Sequence, residues 1–163
     1  MKKILMLAVM LVVVPSLAQA ATTCHSGTYK GKLWSVSPDI NKKEATLVVQ
    51  QKGTDCVANF QAEGATEEWT ITANNTLVQK EYDTNGNVVA TYKATLNGDK
   101  YFINCADKTK NVCDAGIDAR NYWVLKTTPT TFTYTVYGVD SAKKEDATAT
   151  VNKRHEFTFN KTN

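Results

Sequence analysis

The chain has 163 residues, of which 42% are hydrophobic, 9% aromatic and 21% charged, with a formal net charge of +3. This length is sufficient for one domain and short for two, and the hydrophobic content excludes a disordered chain. Three prolines and eight glycines are too few for a fibrous repeat. The composition therefore predicts a single globular domain and not a multidomain enzyme.

Residues 1–20 have the three parts of a secretory signal peptide. Lys2 and Lys3 give a positively charged start, residues 4–14 are apolar, and Ala18-Gln19-Ala20 supplies the small residues that signal peptidase accepts. The apolar run is too short to span the ~30 Å of a membrane's hydrocarbon. We therefore expect cleavage after Ala20. The short signal with two lysines is typical of bacteria, which favours a periplasmic or secreted product.

Loss of the signal peptide removes the charge excess. It takes two lysines and no acid, which leaves 17 basic against 16 acidic residues. No basic stripe with interleaved aromatic residues remains, so the sequence gives no support for nucleic-acid binding. No later segment is apolar enough to predict a membrane span.

The four cysteines, Cys24, Cys56, Cys105 and Cys113, all follow the signal peptide. An even number of cysteines in an oxidising compartment predicts two disulfide bonds. Three pairings are open, and we favour Cys24–Cys56 with Cys105–Cys113, because the second pair would close a short polar loop. The chain has no C-x-x-C motif, which disfavours a metal or redox site.

Strand patterns dominate the rest of the chain. Runs rich in Thr, Val, Tyr and Phe alternate with polar turns. The clearest run is 88–96, where apolar and polar residues alternate after the hairpin signal Asn85-Gly86. In chain order, the predicted strands are residues 29–36, 45–51, 56–62, 67–73, 76–82, 88–96, 100–105, 122–126, 132–136, 146–151 and 155–160. Residues 114–120 are the one candidate helical turn.

Short turns join strands that are neighbours in sequence, so residues 21–163 are predicted to form one all-β domain, an antiparallel meander. Each strand has one apolar face, and these faces must bury one another. Two arrangements achieve this: a single up-and-down barrel of about 8–10 strands, or a two-sheet β-sandwich. We favour the barrel, because a sandwich needs longer crossings between its sheets.

The segment Gly27-Thr28-Tyr29-Lys30-Gly31 resembles the opening of lipocalin-like (calycin) barrels. Those barrels begin with Gly-x-Trp and place a basic residue of the last strand near that aromatic ring. The resemblance implies a barrel whose floor is closed by such a pair, here Tyr29 and Arg154. Tyrosine stands where the family has tryptophan, and the family's Thr-Asp-Tyr motif is absent.

Catalytic groups are scarce. The histidines are His25 and His155, no serine lies in Gly-x-Ser-x-Gly, and oxidised cysteines offer no thiolate nucleophile. Residues 83–87 and 107–118 carry oxygen ligands but miss the calcium-loop spacing. Glu67 and Glu68 are adjacent on a strand, so they face opposite ways and cannot form a pair with each other. We therefore expect no enzyme, no catalytic residue, no metal and no cofactor.

Binding is better supported, because aromatic and small residues share the inward faces. They predict a cavity for a small, partly apolar ligand, or else a filled core in which large and small residues alternate. The predicted ligand contacts are Phe60, Trp69, Tyr92, Ala94, Phe132 and Tyr134. The alternative function is a module that binds or inhibits another protein through its outer surface and loops. For Trp34 we favour a core position over an exposed contact for a protein or glycan.

Overall fold

The structure is a computed structural model that describes residues 23–38, 43–104 and 118–162. Three sequence predictions fall outside these ranges. They are the signal peptide over residues 1–20, the Cys105–Cys113 disulfide, and most of the helical turn over residues 114–120.

Ten antiparallel strands form one closed barrel, in which every strand pairs with its neighbours in sequence and β1 pairs with β10. The strands are β1 (Gly27–Ser35), β2 (Glu44–Lys52), β3 (Asp55–Ala62), β4 (Ala65–Ile71), β5 (Thr76–Tyr82), β6 (Val88–Asn97), β7 (Lys100–Ile103), β8 (Tyr122–Thr127), β9 (Thr131–Gly138) and β10 (Asn152–Lys161). The all-β, up-and-down barrel is confirmed, and the β-sandwich alternative is wrong.

The β5–β6 hairpin illustrates how side chains fix the turns. The Asp83 carboxylate accepts hydrogen bonds from the backbone amides of Asn85 and Asn87, at 2.9 and 2.8 Å. Gly86 takes a φ of 82°, which a residue with a Cβ rarely adopts. The predicted Asn-Gly turn is therefore stabilised by the hydrogen bonds that the Asp83 side chain accepts and by the positive φ that glycine can adopt.

The strand predicted over residues 146–151 is wrong. The Asp146 side chain accepts hydrogen bonds from both the backbone amide and the hydroxyl of Thr148, at 2.9 and 2.7 Å. Arg120 donates to the carbonyl oxygens of Lys144 and Asp146, at 3.0 and 2.8 Å. These bonds hold the segment in turns and leave its backbone no strand partner, so they override the β propensity of Thr and Val.

One half of the barrel interior is solidly packed. Trp69, Tyr29, Phe132 and Phe159 are almost completely buried there. Phe132 is in ring contact with the other three, at centroid distances of 6.1 Å (Trp69), 6.5 Å (Tyr29) and 6.4 Å (Phe159). We call this the closed end. Edge and stacked contacts of this kind add to the stability that burial alone gives.

Residues 23–26 lie across the closed end. The Tyr29 hydroxyl donates to the carbonyl oxygen of His25 at 2.6 Å, and Lys161 Nζ donates to that of Ser26 at 2.8 Å. Cys24 packs against the core and forms a disulfide with Cys56, with the Cα atoms 5.5 Å apart. The favoured Cys24–Cys56 pairing is confirmed, and the bond fastens the segment to β3.

The expected floor pair of Tyr29 and Arg154 is not formed. Because β1 and β10 run antiparallel, Tyr29 lies opposite Lys161, and Lys161 Nζ lies 5.9 Å from its ring centroid. Arg154 precedes His155, which pairs with Ser35 at the other end of β1. There Arg154 forms an ion pair with Asp140 at 3.5 Å. The basic residue beside the aromatic ring is therefore Lys161.

Gly31 allows the barrel to close. It pairs with Phe159 across the β1–β10 seam, and a Cβ placed on it would overlap the carbonyl group of Thr158. The partner there is backbone, so a flexible side chain cannot move aside to relieve the overlap.

We predict that Gly31→Ala lowers the free energy of unfolding by about 2 kcal/mol or more, because the seam strands must separate to admit the methyl group. Urea unfolding measures the change, and Lys32→Ala, at the exposed neighbouring position, is the control. A loss below ~0.5 kcal/mol, the range of ordinary surface substitutions, would show that the seam tolerates a side chain.

We also predict that replacing Cys24 and Cys56 together by alanine costs roughly 3 kcal/mol, because the bond closes a loop with a sequence separation of 32. Denaturant unfolding of the double variant and of the oxidised parent gives the difference. Equal midpoints and slopes in the two proteins would contradict the prediction.

Candidate functional site

The other half of the barrel contains a cavity of about 580 Å³. Its mouth is marked by the exposed turn residues Glu63 and Gly64, between β3 and β4, and by Lys43. Every strand except β2 contributes a residue to the wall. The inward side chains of this half do not fill the space between them. The other lining residues are Leu33, Phe60, Ala62, Ala65, Glu67, Gln79, Glu81, Tyr92, Ile103, Asn121, Trp123, Tyr134, Val136, His155 and Phe157.

Aromatic rings form much of the wall, namely Phe60, Tyr92, Trp123, Tyr134 and Phe157. The ring centroids of Tyr92 and Trp123 lie 6.4 Å apart, and those of Trp123 and Tyr134 lie 6.3 Å apart. Phe60 and Phe157 meet edge to face at 4.8 Å. These mutual contacts hold the rings in place along the wall.

The six predicted ligand contacts divide between the wall and the packed core. Phe60, Tyr92 and Tyr134 line the cavity. The other three, Trp69, Ala94 and Phe132, lie deeper, towards the closed end, and are almost fully buried. Trp69 stacks against Phe60 at 5.6 Å and lies 4.3 Å from Tyr134, between ring centroids. It therefore supports the wall from behind. Trp69, Ala94 and Phe132 are not among the residues that line the cavity.

Two carboxylates also line the cavity, Glu67 of β4 and Glu81 of β5, and they are direct cross-strand partners. Directly opposed residues on one face of an antiparallel pair have Cβ atoms about 4.5–5.5 Å apart. Glu68, the adjacent acid on β4, forms an ion pair with Lys80, whereas Glu67 lies opposite an acid of the next strand, a pairing that alternation along one strand does not reveal. Counting outward from Asn74-Asn75 as a two-residue turn would place Glu67 opposite Tyr82. In the structure Ile71 lies opposite Leu77, so the hairpin is centred on Asn74 and Glu67 lies opposite Glu81.

A hydrogen-bond chain supports Glu67. Its Oε2 accepts from Trp69 Nε1 at 2.7 Å and from Gln79 Nε2 at 2.9 Å. The Gln79 side-chain oxygen in turn accepts from the Tyr134 hydroxyl at 3.3 Å. Both bonds to Glu67 reach the same oxygen, so its Oε1 has no hydrogen-bond donor within the described ranges.

Burial governs the titration of this pair. It raises the pKa of Glu67 from 4.5 to about 7; the two hydrogen bonds oppose the shift, and the Glu81 carboxylate adds to it. Burial also raises the pKa of Glu81. The pKa values of Tyr134 and Tyr92 lie above 10, first through burial and then through the nearby glutamates. Both phenols therefore remain neutral and can donate hydrogen bonds.

Two other residues could bring positive charge to the cavity. His155 Nδ1 lies 2.8 Å from the Ser35 hydroxyl oxygen, and burial and then Arg154 lower its pKa below 6.5, so it is neutral at pH 7. Lys43 Nζ lies 3.8 Å from a carboxylate oxygen of Glu63 at the mouth. In the part of the chain that the structure describes, no cation is paired with Glu67 or Glu81.

The described residues hold no group of three or more His, Cys, Asp or Glu side chains that could bind a metal ion. Of the weak calcium candidate over residues 107–118, only Asp118 is described, and its carboxylate is bound by the Arg120 guanidinium at 2.6 and 2.9 Å. No helix in the described ranges is long and apolar enough to cross a membrane.

Trp34 lies on the outer face of the barrel, so the core position favoured for it is wrong. It is 43% exposed, and Lys153 Nζ lies 4.6 Å from its ring centroid. Its neighbours Leu33 and Ser35 are buried and occupy the inward positions of β1, which forces Trp34 outward.

Comparison of the chain with known protein families, curated proteins and solved structures finds no match. The function must therefore be inferred from the geometry of the cavity itself.

We predict that Glu67 makes the protein less stable at higher pH. Because its pKa rises on folding from 4.5 to about 7, the unfolded chain holds fewer protons between these values, and stability falls as pH rises through the window. The shift is worth roughly 3 kcal/mol. Between pH 5 and 8, the stability of the parent relative to Glu67→Gln should fall by roughly 2–3 kcal/mol.

Denaturant unfolding at each pH measures this difference. The matched control is Glu68→Gln, which alters the outward neighbour that forms an ion pair with Lys80 at 3.5 Å. If the Glu67→Gln and Glu68→Gln proteins respond to pH alike, Glu67 does not carry the shift.

Proposed function

We propose that this protein is a non-catalytic binding barrel, lipocalin-like in architecture, that holds one small, partly apolar organic molecule in its cavity. A single observation carries the proposal: a cavity of about 580 Å³ walled by aromatic rings in a barrel whose other half is packed. Sites for small organic ligands typically measure about 300–1,000 Å³ and are lined by apolar side chains with a few polar groups.

The packed half of the same barrel is the internal comparison. At the closed end, rings and aliphatic side chains from all around the barrel fill the interior. The open half has strands of the same sheet and several large rings, yet its centre is unfilled. Barrel width alone therefore does not account for the cavity. An apolar ligand bound there would gain roughly 25 cal/mol for each Å² of apolar surface that is removed from water.

We further propose that the protein acts outside the cytoplasm, in the periplasm or after secretion. The disulfide between Cys24 and Cys56 supports this location, because such bonds persist in oxidising compartments. The signal-peptide pattern of residues 1–20 points the same way.

A protein partner is the second candidate function, and the exposed Trp34 favours it. With Val36, also 43% exposed, it gives the outer face of β1 an apolar surface beside Lys153. Tryptophan is enriched among residues that dominate binding energy in protein interfaces. A partner bound there would not need the cavity.

We predict that Ala62→Trp blocks the cavity. Ala62 lines it near the mouth, and an indole group at this position would occupy the ligand's space. The neutral fluorescent probe N-phenyl-1-naphthylamine should bind the parent and bind the variant at least ~10-fold more weakly, a loss of about 1.4 kcal/mol. Fluorescence titration gives the two dissociation constants.

Gln61→Trp is the matched control, because Gln61 is the exposed neighbour on the outer face. It should bind the probe as the parent does. Equal binding of the probe by both tryptophan variants would reject the cavity as the binding site and favour the outer surface.

A further inference from the structure

We propose that the ligand is an organic cation: an amine whose ammonium group lies between Glu67 and Glu81 and whose apolar body lies against the aromatic wall. This inference rests on the proposed function and gives the ligand its chemical class. It depends on the cavity, the positions of the two carboxylates in it, and the rings around them.

The free carboxylate oxygens are the first argument. Glu67 receives both of its hydrogen bonds at Oε2, which leaves Oε1 without a donor in the described ranges. Glu81 forms no ion pair and no side-chain hydrogen bond with another described residue. An ammonium group carries up to three N–H donors and no acceptor. It can therefore donate to both glutamates at once, since they are cross-strand partners on the inward face.

The charge balance of the cavity is the second argument. Lys43 is the one lysine or arginine among the described lining residues, and it is paired with Glu63 at the mouth. His155, the lining histidine, is neutral at pH 7. Within the described residues no cation therefore offsets the two inner carboxylates, and a buried charge without a partner is costly. A cationic ligand would offset these charges, whereas an anionic ligand would be repelled by the two carboxylates.

The aromatic rings are the third argument. Burial, and then the negative charge of both glutamates, raises the pKa values of Tyr92 and Tyr134, so the four side chains lie near one another. Trp123 contacts both tyrosines. The faces of tryptophan and tyrosine attract cations. Carboxylates beside such faces form a subsite for a cation, and the cavity leaves room next to it for an apolar group.

Binding of a cation should also be linked to pH. The titratable and hydrogen-bonding groups that line the cavity with Glu67 include Gln79 and Glu81 of β5, Tyr92 of β6, Tyr134 of β9 and His155 of β10, with Lys43 and Glu63 at the mouth. With a pKa of about 7, Glu67 must lose its proton to meet the ammonium group at full charge. Affinity for a permanently charged amine should therefore rise between pH 6 and 8.

The experiment compares three indoles of similar shape by isothermal titration calorimetry at pH 8: tryptamine, a cation; tryptophol, which is neutral; and indole-3-propionate, an anion. Tryptamine should bind the parent protein at least ~10-fold more tightly than tryptophol, and indole-3-propionate should bind most weakly. Glu81→Gln and Glu67→Gln should each weaken tryptamine binding about 10-fold and leave tryptophol binding unchanged.

Glu68→Gln is the control, because Glu68 is an adjacent acid on the outer face, and it should bind all three indoles as the parent does. The tryptophol measurement separates a lost charge from a damaged fold, since a misfolded variant would lose both ligands.

The outcomes distinguish the two proposals. Equal affinity for tryptamine and tryptophol, or tighter binding of indole-3-propionate, would overturn the cationic ligand and leave the cavity's binding role intact. Failure of tryptamine to bind while N-phenyl-1-naphthylamine binds would do the same. Failure of all four probes in the parent would overturn the proposed function as well.

Discussion

The fold depends on the closure of β1 against β10. Ten strands in a meander would otherwise leave two unpaired edges, which are templates for pairing with other chains. The seam closes because Gly31 has no side chain where the backbone of Thr158 and Phe159 approaches. Closure also fixes which residues face one another across the interior. The packed core and the cavity both depend on this closure, because each is lined by residues from all around the barrel.

The two ends of the barrel serve opposite needs. At the closed end, buried rings, the disulfide and the segment 23–26 stabilise the fold. At the open end, two carboxylates are held partly out of water, which disfavours their charged forms and raises the pKa of Glu67. An arrangement that destabilises one end can persist because the other end is well packed, and functional sites commonly combine local strain with support elsewhere.

The sequence predicted the barrel because alternation along each strand is local information. It could not predict features that depend on register between distant strands, and so it placed Arg154 rather than Lys161 beside Tyr29. The core position predicted for Trp34 was wrong for a related reason. An alternation with period two identifies the two faces of a strand but does not say which face is inward. Residues 146–151 have strand composition, but hydrogen bonds from Arg120 to nearby carbonyls hold them in turns. Three of the six predicted ligand contacts lie outside the cavity lining, because alternation gives the inward direction of a side chain and not its depth along the barrel axis.

The termini of the described chain leave the barrel on the same side. Thr23 is hydrogen-bonded to Thr127, and Thr162 to the backbone of Thr28, both at the closed end. The cavity mouth, at Glu63 and Gly64, is at the opposite end. A fluorescent protein, an affinity tag or a solid support joined at either end of the described chain would thus lie at the end of the barrel opposite the cavity mouth. A sensor built on this barrel could be immobilised through a chain terminus, with the cavity mouth facing the sample.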